Sequence, residues 1–293
     1  MSDISGNKFF ESVLEAAFGK SITVRSTAFQ SGGCINNALK LHTADRDYFI
    51  KWQTGIPGDM FQKEADGLAL LANAGSLKIP EVYAYGKLDG KHYLLMEYIE
   101  GSSPNRNYWE YFGSSLAELH VNNTNANYGL DHDNFIGKLP QSNEAHGNWI
   151  HFFIHSRLEY QLDLAIKNRM VSSDFIDRYR QLYTLLPDLL PTEKPALIHG
   201  DLWSGNVMVG NDGNVCLIDP AVYYGHREIE LAFTQMFGGF AGAFYKAYNE
   251  AYPLVPGFDE RVDIYNIYPH MVHVNLFGQS YLSGVERVLR RYL

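Results

Sequence analysis

The sequence has few cysteines, no long apolar run and no excess of positive charge, and each shortage excludes a class of protein. Two cysteines in 293 residues are too few for a disulfide framework, so we expect a reducing compartment, the cytoplasm. No apolar run reaches the length of a membrane-spanning helix. The opening stretch "MSDISGNKFFESVLEAAFGK" mixes acids with apolar residues, which is the pattern of neither a signal peptide nor a membrane anchor. We therefore expect no membrane association.

The charge balance excludes a further class. Lys and Arg total 24 while Asp and Glu total 33, which gives a net charge of −9. Proteins that bind nucleic acid carry basic patches that release counterions, so we expect no nucleic-acid partner. A few local cations and a metal ion can still bind the phosphates of a nucleotide inside an acidic protein.

The first hundred residues have the pattern of a small antiparallel sheet with one helix. Residues 22–53 alternate in polarity and are interrupted by the turn signals "QSGGCINN" and "TADRD", which predicts three strands. The stretch "FQKEADGLALLANAG" has helical spacing and ends at Gly75, a typical helix C-cap. Two more strands flank an Asp89-Gly90 turn. Together these segments predict a five-stranded sheet.

The rest of the chain is predicted to be mainly helical. Helical patterns cover residues 108–121, 148–169 and 173–190, with more helix from 226 onwards, and short strand signals occur at 196–198, 207–209 and 215–218. We therefore predict an α+β fold with two lobes. Residues 1–101 form a nucleotide-binding lobe, and residues 102–293 form a helical lobe that carries the catalytic and acceptor-binding residues.

The stretch "LIHGDLWSGNVMV" holds the clearest candidate for catalysis. His199, Asp201 and Asn206 lie in it, and the spacing from Asp201 to Asn206 is D-x-x-x-x-N. Protein kinases place a catalytic base and a magnesium ligand on one loop with this spacing. A chance match occurs in roughly a few per cent of chains of this length, so further residues must support the interpretation.

Asp219 provides that support, because it ends the strand "VCLID" thirteen residues after Asn206. A hairpin that begins at Asn206 would bring the two residues together, and two such oxygen ligands with waters and phosphates suit octahedral Mg²⁺. Protein kinases have Phe-Gly after the corresponding acid. Here Pro220-Ala221 follows, so a mobile switch of that kind is not expected.

Lys51 and Glu64 are the candidates for phosphate binding in the first lobe. Lys51 lies in the strand "DYFIKW", where an unpaired ammonium would be costly and a phosphate oxygen would compensate it. Glu64, on the following helix, could pair with Lys51 and orient it. Such a contact at 4 Å is worth about 4 kcal/mol before desolvation.

Two backbone segments complete the predicted ATP site. Gly32 and Gly33 lie in a glycine-rich turn between the first two strands, where backbone N–H groups could face the phosphates. The stretch "LLMEYIE" occupies the connection between the lobes. Its residues Glu97, Tyr98 and Ile99 could therefore bind the edge of adenine through their backbone.

Of the other aromatic and polar residues considered, only one is expected to belong to the site. Trp203 lies inside the candidate catalytic loop, so we expect it to contact the phosphoryl acceptor. The remaining candidates are interpreted as core or satisfied polar residues, and they are Trp149, Phe152, Phe153, Cys216, His226 and His270.

Several motifs resemble those of the fructosamine kinase (ketosamine-3-kinase) family. They are "HGDLWSGN", "IDPAVYYGHREIELAFTQMFGGF", "AYPLVPGFDERVDIYNIY", "NFIGKLPQSN" and the W-x-x-F-F-x-x-x-R-L pattern from Trp149 to Leu158. The resemblance covers nearly the whole chain. "HGDLWSGN" with "YGHRE" is specific to this family, whereas phosphotransferases for aminoglycosides and choline share only the wider "HGD" pattern and the later Asp.

The resemblance implies a protein-kinase-like fold and ATP-dependent phosphorylation of the 3-hydroxyl of a ketosamine, either small or bound to a protein. The product is unstable and releases the amine, so the activity is deglycation. By position, Asp201 would be the proton acceptor and Glu97–Ile99 the adenine-binding segment. Some members carry a redox-sensitive cysteine at the position of Cys34. We expect Cys34 to be exposed, and it is either a thiol that oxidises or a small loop residue that serine could replace. A monomer or a homodimer is expected.

Two alternatives remain at this point. The chain could phosphorylate another small hydroxylated metabolite, and an acidic acceptor pocket would favour a cationic aminoglycoside or choline. Aromatic and neutral polar residues near Trp203 would instead favour sugar adducts. A nucleotide-binding pseudokinase is the non-enzyme alternative, but the candidate residues Lys51, Glu64, Asp201, Asn206 and Asp219 are all intact.

Overall fold

The computed structural model describes residues 7–30 and 37–293, which group into two compact units. The first unit contains the described residues up to Tyr108 together with Val207–Asp219, and the second contains Trp109–Asn206 and Pro220–Leu293. The sequence-based boundary between residues 101 and 102 stays a prediction. No helix in the described part of the chain is both long and apolar enough to cross a membrane.

The strands are short except in the first unit. They are β1 (Ser26–Phe29), β2 (Asn37–His42), β3 (Asp47–Gln53), β4 (Val82–Leu88), β5 (Lys91–Glu97), β6 (Asn134–Ile136), β7 (Leu139–Gln141), β8 (Ala196–Ile198), β9 (Val207–Val209), β10 (Val215–Leu217) and β11 (Tyr223–Gly225).

The helices lie mostly in the second unit. They are α1 (Lys8–Phe18), α2 (Met60–Ala74), α3 (Tyr108–Asn122), α4 (Trp149–Phe152), α5 (Tyr160–Lys167), α6 (Ser173–Tyr183), α7 (Leu186–Leu189), α8 (Arg227–Thr234), α9 (Gly242–Ala251), α10 (Phe258–Tyr265), α11 (Ile267–Phe277) and α12 (Leu282–Tyr292). A π-helical segment, Phe153–Glu159, joins α4 to α5.

The first unit is built on the predicted five-stranded antiparallel sheet. Its strand order is β1-β2-β3-β5-β4, and Leu41, Ile50 and Leu95 from successive strands are fully buried in one core. The sequence analysis predicted one helix here, α2, but α1 also belongs to this unit. The apolar side chains of α1, which include Leu14, form one stripe that packs into the sheet core.

Two predicted turns are confirmed by their backbone conformation. Asp89 and Gly90 have φ of 49° and 77°, which is the pair of positive φ values that a tight hairpin between β4 and β5 requires. Gly75 ends α2 with φ of 76° and donates its N–H to the Ala72 carbonyl, as a left-handed C-cap does.

The hairpin of β9 and β10 packs within the first unit although it lies a hundred residues further along the chain. The Leu217 N–H donates to the Lys78 carbonyl at 3.0 Å, and the Asn105 N–H donates to the Gly213 carbonyl at 3.0 Å. Asp219, two residues after β10, is thereby placed in the same unit as Lys51.

The second unit has an aromatic core, as the sequence predicted. Trp149 is 3% exposed, and Phe152 and Phe153 are fully buried. A second small hairpin, β6–β7, was not predicted, because strands of three residues carry almost no periodic signal.

Helices α3 and α9 approach so closely that only glycine fits at residue 113. A Cβ there would lie 2.2 Å from the Phe244 carbonyl oxygen and 3.0 Å from the Tyr248 backbone nitrogen. Backbone atoms cannot yield as a flexible side chain would, so a methyl group must push the helices apart.

We predict that Gly113→Ala lowers the free energy of unfolding by about 1–3 kcal/mol, because overpacking outweighs the higher helix propensity of alanine. The matched control is Gly242→Ala in α9, where a Cβ meets no atom of another described residue within 4 Å. It should be neutral or stabilising. Urea unfolding, followed by a signal from the second unit, gives the unfolding midpoint of each variant. Equal midpoints for the two variants would contradict the packing argument.

Candidate active site

The backbone before Asp201 is forced into an unusual conformation. Strand β8 is fully buried and leads directly into His199 and Gly200. Gly200 has φ of 82°, and a Cβ on it would lie 2.0 Å from the Ala221 carbonyl oxygen. The Ala221 N–H in turn donates to the His199 carbonyl at 2.9 Å. Only glycine satisfies both the left-handed φ and the close approach, and this turn determines where Asp201 lies.

Asn206 holds Asp201 at both its backbone and its side chain. The Asn206 Nδ2 group donates to the Asp201 carbonyl at 2.8 Å and to Oδ2 of the same residue at 2.9 Å. A turn of 3-10 helix over Ser204–Asn206 brings the amide back to Asp201, which explains the D-x-x-x-x-N spacing. With both amide hydrogens used, Oδ1 of Asn206 is the atom that can serve as a metal ligand.

A pocket of about 390 Å³, counted with its open mouth, lies beside Asp201 within the second unit. Most of its lining is apolar or aromatic, and the side chains with polar groups are Asp201, Tyr223, Glu230, Tyr268 and His273. The full lining is Ile136, Ile198, Gly200, Asp201, Tyr223, Ile229, Glu230, Phe233, Tyr268, Pro269, Val272 and His273.

His273 presents a fixed, neutral ring to this pocket. Its Nδ1 lies 2.7 Å from the Pro269 carbonyl oxygen and must donate to it, so Nε2 carries the lone pair. Burial lowers the pKa of His273, and the Pro269 carbonyl offsets this only in part. The imidazole is therefore an uncharged hydrogen-bond acceptor at neutral pH.

Trp203 packs against its own loop and a partly exposed phenylalanine. A Cβ on Gly205 would lie 2.3 Å from the indole ring, and the Trp203 and Phe237 rings meet edge to face at 5.7 Å. Phe237 is 46% exposed and has φ of 54°. Trp203 does not line the pocket itself, so its contact with an acceptor stays a prediction.

In the first unit, Lys51 lies between two carboxylates. Its Nζ is 2.7 Å from Glu64 Oε1 and also donates to Asp219 Oδ1. Burial alone would lower the pKa of Lys51, but the charges of Asp219 and Glu64 outweigh it and raise that pKa. Burial raises the pKa of Glu64, with Lys51 opposing the effect. Lys51 is therefore a permanent, fixed cation.

Asp219 follows β10 in a left-handed conformation, with φ of 55°. Aspartate tolerates this region better than most residues, and its side chain, 29% exposed, reaches Lys51. The carboxylate is therefore held by a cation on a fixed strand, as a metal-binding or phosphate-site acid requires.

The segment predicted to bind adenine has two usable backbone donors. The Glu97 N–H donates to the Glu81 carbonyl at 2.7 Å, and the Glu97 carboxylate pairs with Lys78 at 2.8 Å. Among the described residues, no acceptor takes the backbone N–H of Tyr98 or Ile99. Those two groups can donate to a ligand, whereas the Glu97 N–H cannot.

Three predicted residues lie outside the described part of the chain, namely Gly32, Gly33 and Cys34. Their roles over the phosphates and in oxidation stay predictions. The other cysteine, Cys216, is fully buried, and burial raises the pKa of its thiol to about 12. This confirms its interpretation as a small buried residue.

The sequence analysis missed Glu230, which touches the candidate catalytic loop. Its Oε2 accepts the Gly200 N–H at 2.8 Å, and its side chain is buried. The available signal was an acid within "IELAF", an otherwise apolar stretch of helix.

His226 caps the helix that carries Glu230. Its Nδ1 accepts the Glu228 N–H at 3.2 Å, and its Nε2 lies 3.2 Å from the Pro191 carbonyl oxygen. Burial lowers the pKa of this fully enclosed ring to about 4. The interpretation of His226 as a satisfied polar residue is confirmed, and its neutral ring caps the N-terminus of α8.

Solved structures define the class of protein. The fold matches a spectinomycin phosphotransferase solved with ADP and spectinomycin, with a TM-score of 0.59 and 18% identity over 94% of this chain and 88% of that one. An identity this low shows the fold alone, which is protein-kinase-like. A crystal structure from Haemophilus somnus assigned as a fructosamine-3-kinase matches with a TM-score of 0.86 and 30% identity over 97% and 96% of the two chains.

The chain belongs to the fructosamine kinase family, whose model matches residues 7–293. A probable ketoamine kinase of Synechocystis sp. is 38% identical over 94% of this chain and 92% of that protein. A chloroplastic protein-ribulosamine 3-kinase of Oryza sativa subsp. indica is 37% identical over 94% and 81%. The resemblance seen in the motifs is confirmed, and the family makes this chain an ATP-dependent phosphotransferase.

The His226 cap predicts a pH dependence of stability. The folded pKa of about 4 lies below the ordinary value of about 6.5, so the unfolded chain binds this proton more readily. The contribution is present above about pH 6.5 and is lost as the pH falls towards 4, by about 2 kcal/mol at pH 5.

His226→Asn keeps a residue that can cap a helix but does not titrate. The free energy of unfolding in urea should therefore fall less between pH 7 and pH 5 than in the wild type, by up to about 2 kcal/mol. The lowered pKa values of His270 and His273 affect both proteins alike and cancel. Parallel pH profiles would show that the pKa of His226 is not lowered in the folded state.

Proposed function

We propose that this protein is a Mg²⁺- and ATP-dependent kinase that phosphorylates the 3-hydroxyl of ketosamines, leading to deglycation. One observation carries the proposal: Asp201, fixed by Asn206 and the Gly200 turn, lines a pocket that opens to solvent in a member of the fructosamine kinase family. Phosphoryl transfer asks for positioning and charge neutralisation more than covalent chemistry.

Asp201 is proposed as the proton acceptor. The Asn206 amide holds one carboxylate oxygen at 2.9 Å and so fixes the plane of the carboxylate. A general base must lie within hydrogen-bond reach of the hydroxyl whose proton it accepts. An acceptor hydroxyl bound in the adjoining pocket would meet that requirement. Asp201 would take its proton, the hydroxyl oxygen would bond to the γ-phosphorus of ATP, and ADP would leave as the bond to the β,γ-bridging oxygen breaks.

The residues proposed to bind Mg²⁺ are Asn206 and Asp219, and their donor atoms fit that ion. Asn206 retains Oδ1 because its amide hydrogens are used on Asp201, and Asp219 supplies a carboxylate. Mg²⁺ prefers oxygen ligands and keeps waters and phosphate oxygens beside one or two protein groups. When bound, it neutralises charge on the phosphates.

The remaining ATP contacts are proposed for residues of the first unit. Lys51, held by Glu64, donates to phosphate oxygens, and the backbone N–H groups of Tyr98 and Ile99 bind the adenine edge next to Glu97. Gly32 and Gly33 are proposed to cover the phosphates. Glu64 already holds the Lys51 ammonium at 2.7 Å, and the Glu97 N–H donates to the Glu81 carbonyl at the start of the adenine segment.

The chemistry of the pocket favours a sugar adduct over a polycationic aminoglycoside or choline. The pocket has two acids, and both oxygens of one of them, Glu230, already accept hydrogen bonds from His120 and Gly200. Glu230 therefore has little capacity to bind a ligand. His273 is neutral, and the other lining residues are apolar or aromatic. Neutral acceptors that carry hydroxyl groups suit such a surface.

We also propose that the protein is cytoplasmic and that it is a monomer or a homodimer.

Two substitutions should separate the proposed roles. Asp201→Asn should lower kcat by at least about 10²-fold and leave the ATP affinity within a few-fold, because the base acts in the transition state. Asp219→Asn should weaken Mg·ATP binding as well as turnover. Steady-state kinetics with varied ATP measure both, and near-wild-type turnover in Asp201→Asn would remove its assignment.

The acceptor position is tested with a ribulosamine, with fructosamine, aminoglycoside and choline substrates in parallel. Phosphorus NMR should show a monoester on the 3-oxygen of the ketosamine that decays with release of free amine. A stable ester, phosphate on a different hydroxyl, or faster turnover of an aminoglycoside would instead indicate a kinase for another metabolite.

A further inference from the structure

The strongest unassigned feature is a buried guanidinium behind the wall of the pocket beside Asp201. Arg157 lies in the π-helical segment Phe153–Glu159 and is fully buried. It does not line the pocket, but it contacts the rings of Tyr223 and Tyr268, which do. We call these two residues the tyrosine wall. The positive charge of Arg157 therefore lies directly behind this part of the pocket.

Only uncharged groups hold this guanidinium in the described part of the chain. Its Nη1 group donates to the carbonyls of Ser142 and Ser156, and its Nη2 group donates to Asn143 Oδ1 at 2.8 Å. Its Nε–H has no acceptor among the described residues. The other buried Lys and Arg side chains that the structure describes each form an ion pair with a carboxylate, and they are Lys51, Arg227 and Arg261. In contrast, no carboxylate cancels the charge of Arg157.

Aromatic rings take the place of the missing carboxylate. The guanidinium carbon of Arg157 lies over the rings of Tyr223, Phe152 and Tyr268, at 3.9, 4.5 and 5.6 Å from their centroids. The face of an aromatic ring attracts a cation, and cages of such rings are how many proteins bind quaternary ammonium groups. In the tyrosine wall, the protein's own cation already uses this capacity.

We propose that Arg157 is the specificity-determining residue of the acceptor pocket, because it excludes positively charged groups from the tyrosine wall. An ammonium group bound there would meet a like charge behind the ring, whereas the uncharged hydroxyl groups of a sugar would not. The proposal deepens the proposed function and rests on it for the identity of this pocket as the acceptor site.

The charges of Arg157 and Asp201 act in opposite directions on the tyrosine wall. Burial raises the pKa of the Tyr268 hydroxyl, Arg157 lowers that pKa, and Asp201 adds to the increase. A ligand on the far side of a ring lies about 8 Å from the guanidinium, which is one cation–ring distance plus one van der Waals contact. At an effective dielectric constant of about 20, a unit charge at that distance changes a binding constant by roughly 30-fold. Without Arg157, Asp201 would attract a cationic ligand without this opposition.

The tyrosine wall cannot turn away from Arg157, because buried amides join the two. The Tyr268 hydroxyl donates to Gln141 Oε1 at 2.6 Å, and Gln141 Nε2 donates to Asn134 Oδ1 at 2.8 Å. Asn143, which accepts from Arg157, donates to the same Asn134 oxygen at 3.0 Å. We therefore expect the charge to stay behind the wall when a ligand binds.

The test compares two probes that have the same shape and differ by one positive charge. They are choline and its uncharged analogue with carbon in place of the quaternary nitrogen. NMR titration gives the dissociation constant of each probe. Intermolecular NOEs from the probe to the methyl groups of Val272, which lines the pocket, show that the probe is bound there.

The chain offers a matched control for the loss of a buried guanidinium. Arg261 is also buried, does not line the pocket and pairs with Glu228. Arg261→Met therefore makes the same chemical change as Arg157→Met but leaves the tyrosine wall untouched.

We expect Arg157→Met to tighten choline binding at least about 10-fold relative to the wild type and to Arg261→Met, because the opposing charge is gone. The dissociation constant of the uncharged analogue should stay within about 3-fold. A merely structural role would loosen the pocket and weaken both probes alike. Arg157→Gln is a second uncharged variant, should the methionine protein fold poorly, and should show the same selective gain.

Three results would overturn the proposal. They are choline binding that does not tighten in folded Arg157→Met or Arg157→Gln, an equal gain in Arg261→Met, and a gain in choline binding without NOEs to Val272.

Probe binding needs no turnover, so this proposal and the proposed function fail separately. A chain that does not phosphorylate ketosamines, but in which Arg157→Met selectively gains choline, would defeat the proposed function alone. A ketosamine kinase in which Arg157→Met binds choline no better than the wild type would defeat only the role of Arg157.

Discussion

The hydrogen bonds that hold Asp201 are the interaction on which the candidate site depends. A carboxylate on a surface loop samples many rotamers, and ordering it costs free energy. Here hydrogen bonds within the fold already order the side chain. Asn206 binds both ends of Asp201, and the buried Glu230 fixes the preceding peptide. The loop is therefore ordered before any substrate binds, which is how an enzyme lowers the cost of reaching the transition state.

Buried charge recurs in the described part of this protein, and several of the charged groups have partners close by. Lys51 has Glu64 and Asp219, Arg227 has Glu193, and Glu230 has two hydrogen-bond donors. Buried ion pairs of this kind add little net stability, but removing one partner is costly because the other is left uncompensated. Their value here is geometric, since each holds a functional group or the helix behind it in one position.

The acceptor pocket illustrates how a strongly acidic protein can present a nearly neutral surface. The net charge of −9 suggests affinity for cations. Yet Glu230, the acid that lines the pocket beside Asp201, already accepts two hydrogen bonds, and the lowered pKa of His273 keeps its ring uncharged. Local desolvation and hydrogen bonding, rather than net charge, therefore decide which ligands the pocket suits.

The sequence by itself determined the α+β architecture, the five-stranded sheet, the turn at Asp89-Gly90 and the D-x-x-x-x-N loop, because these depend on short-range periodicity and turn chemistry. It also indicated Lys51 and Glu64, since a lysine in a buried strand needs a partner. Only the tertiary structure revealed that α1 closes the sheet core, that residues 207–219 pack with the first unit, and that Glu230 holds Gly200. The last two contacts join residues 30 to more than 100 positions apart, and no local pattern encodes which distant backbone group a buried side chain will meet.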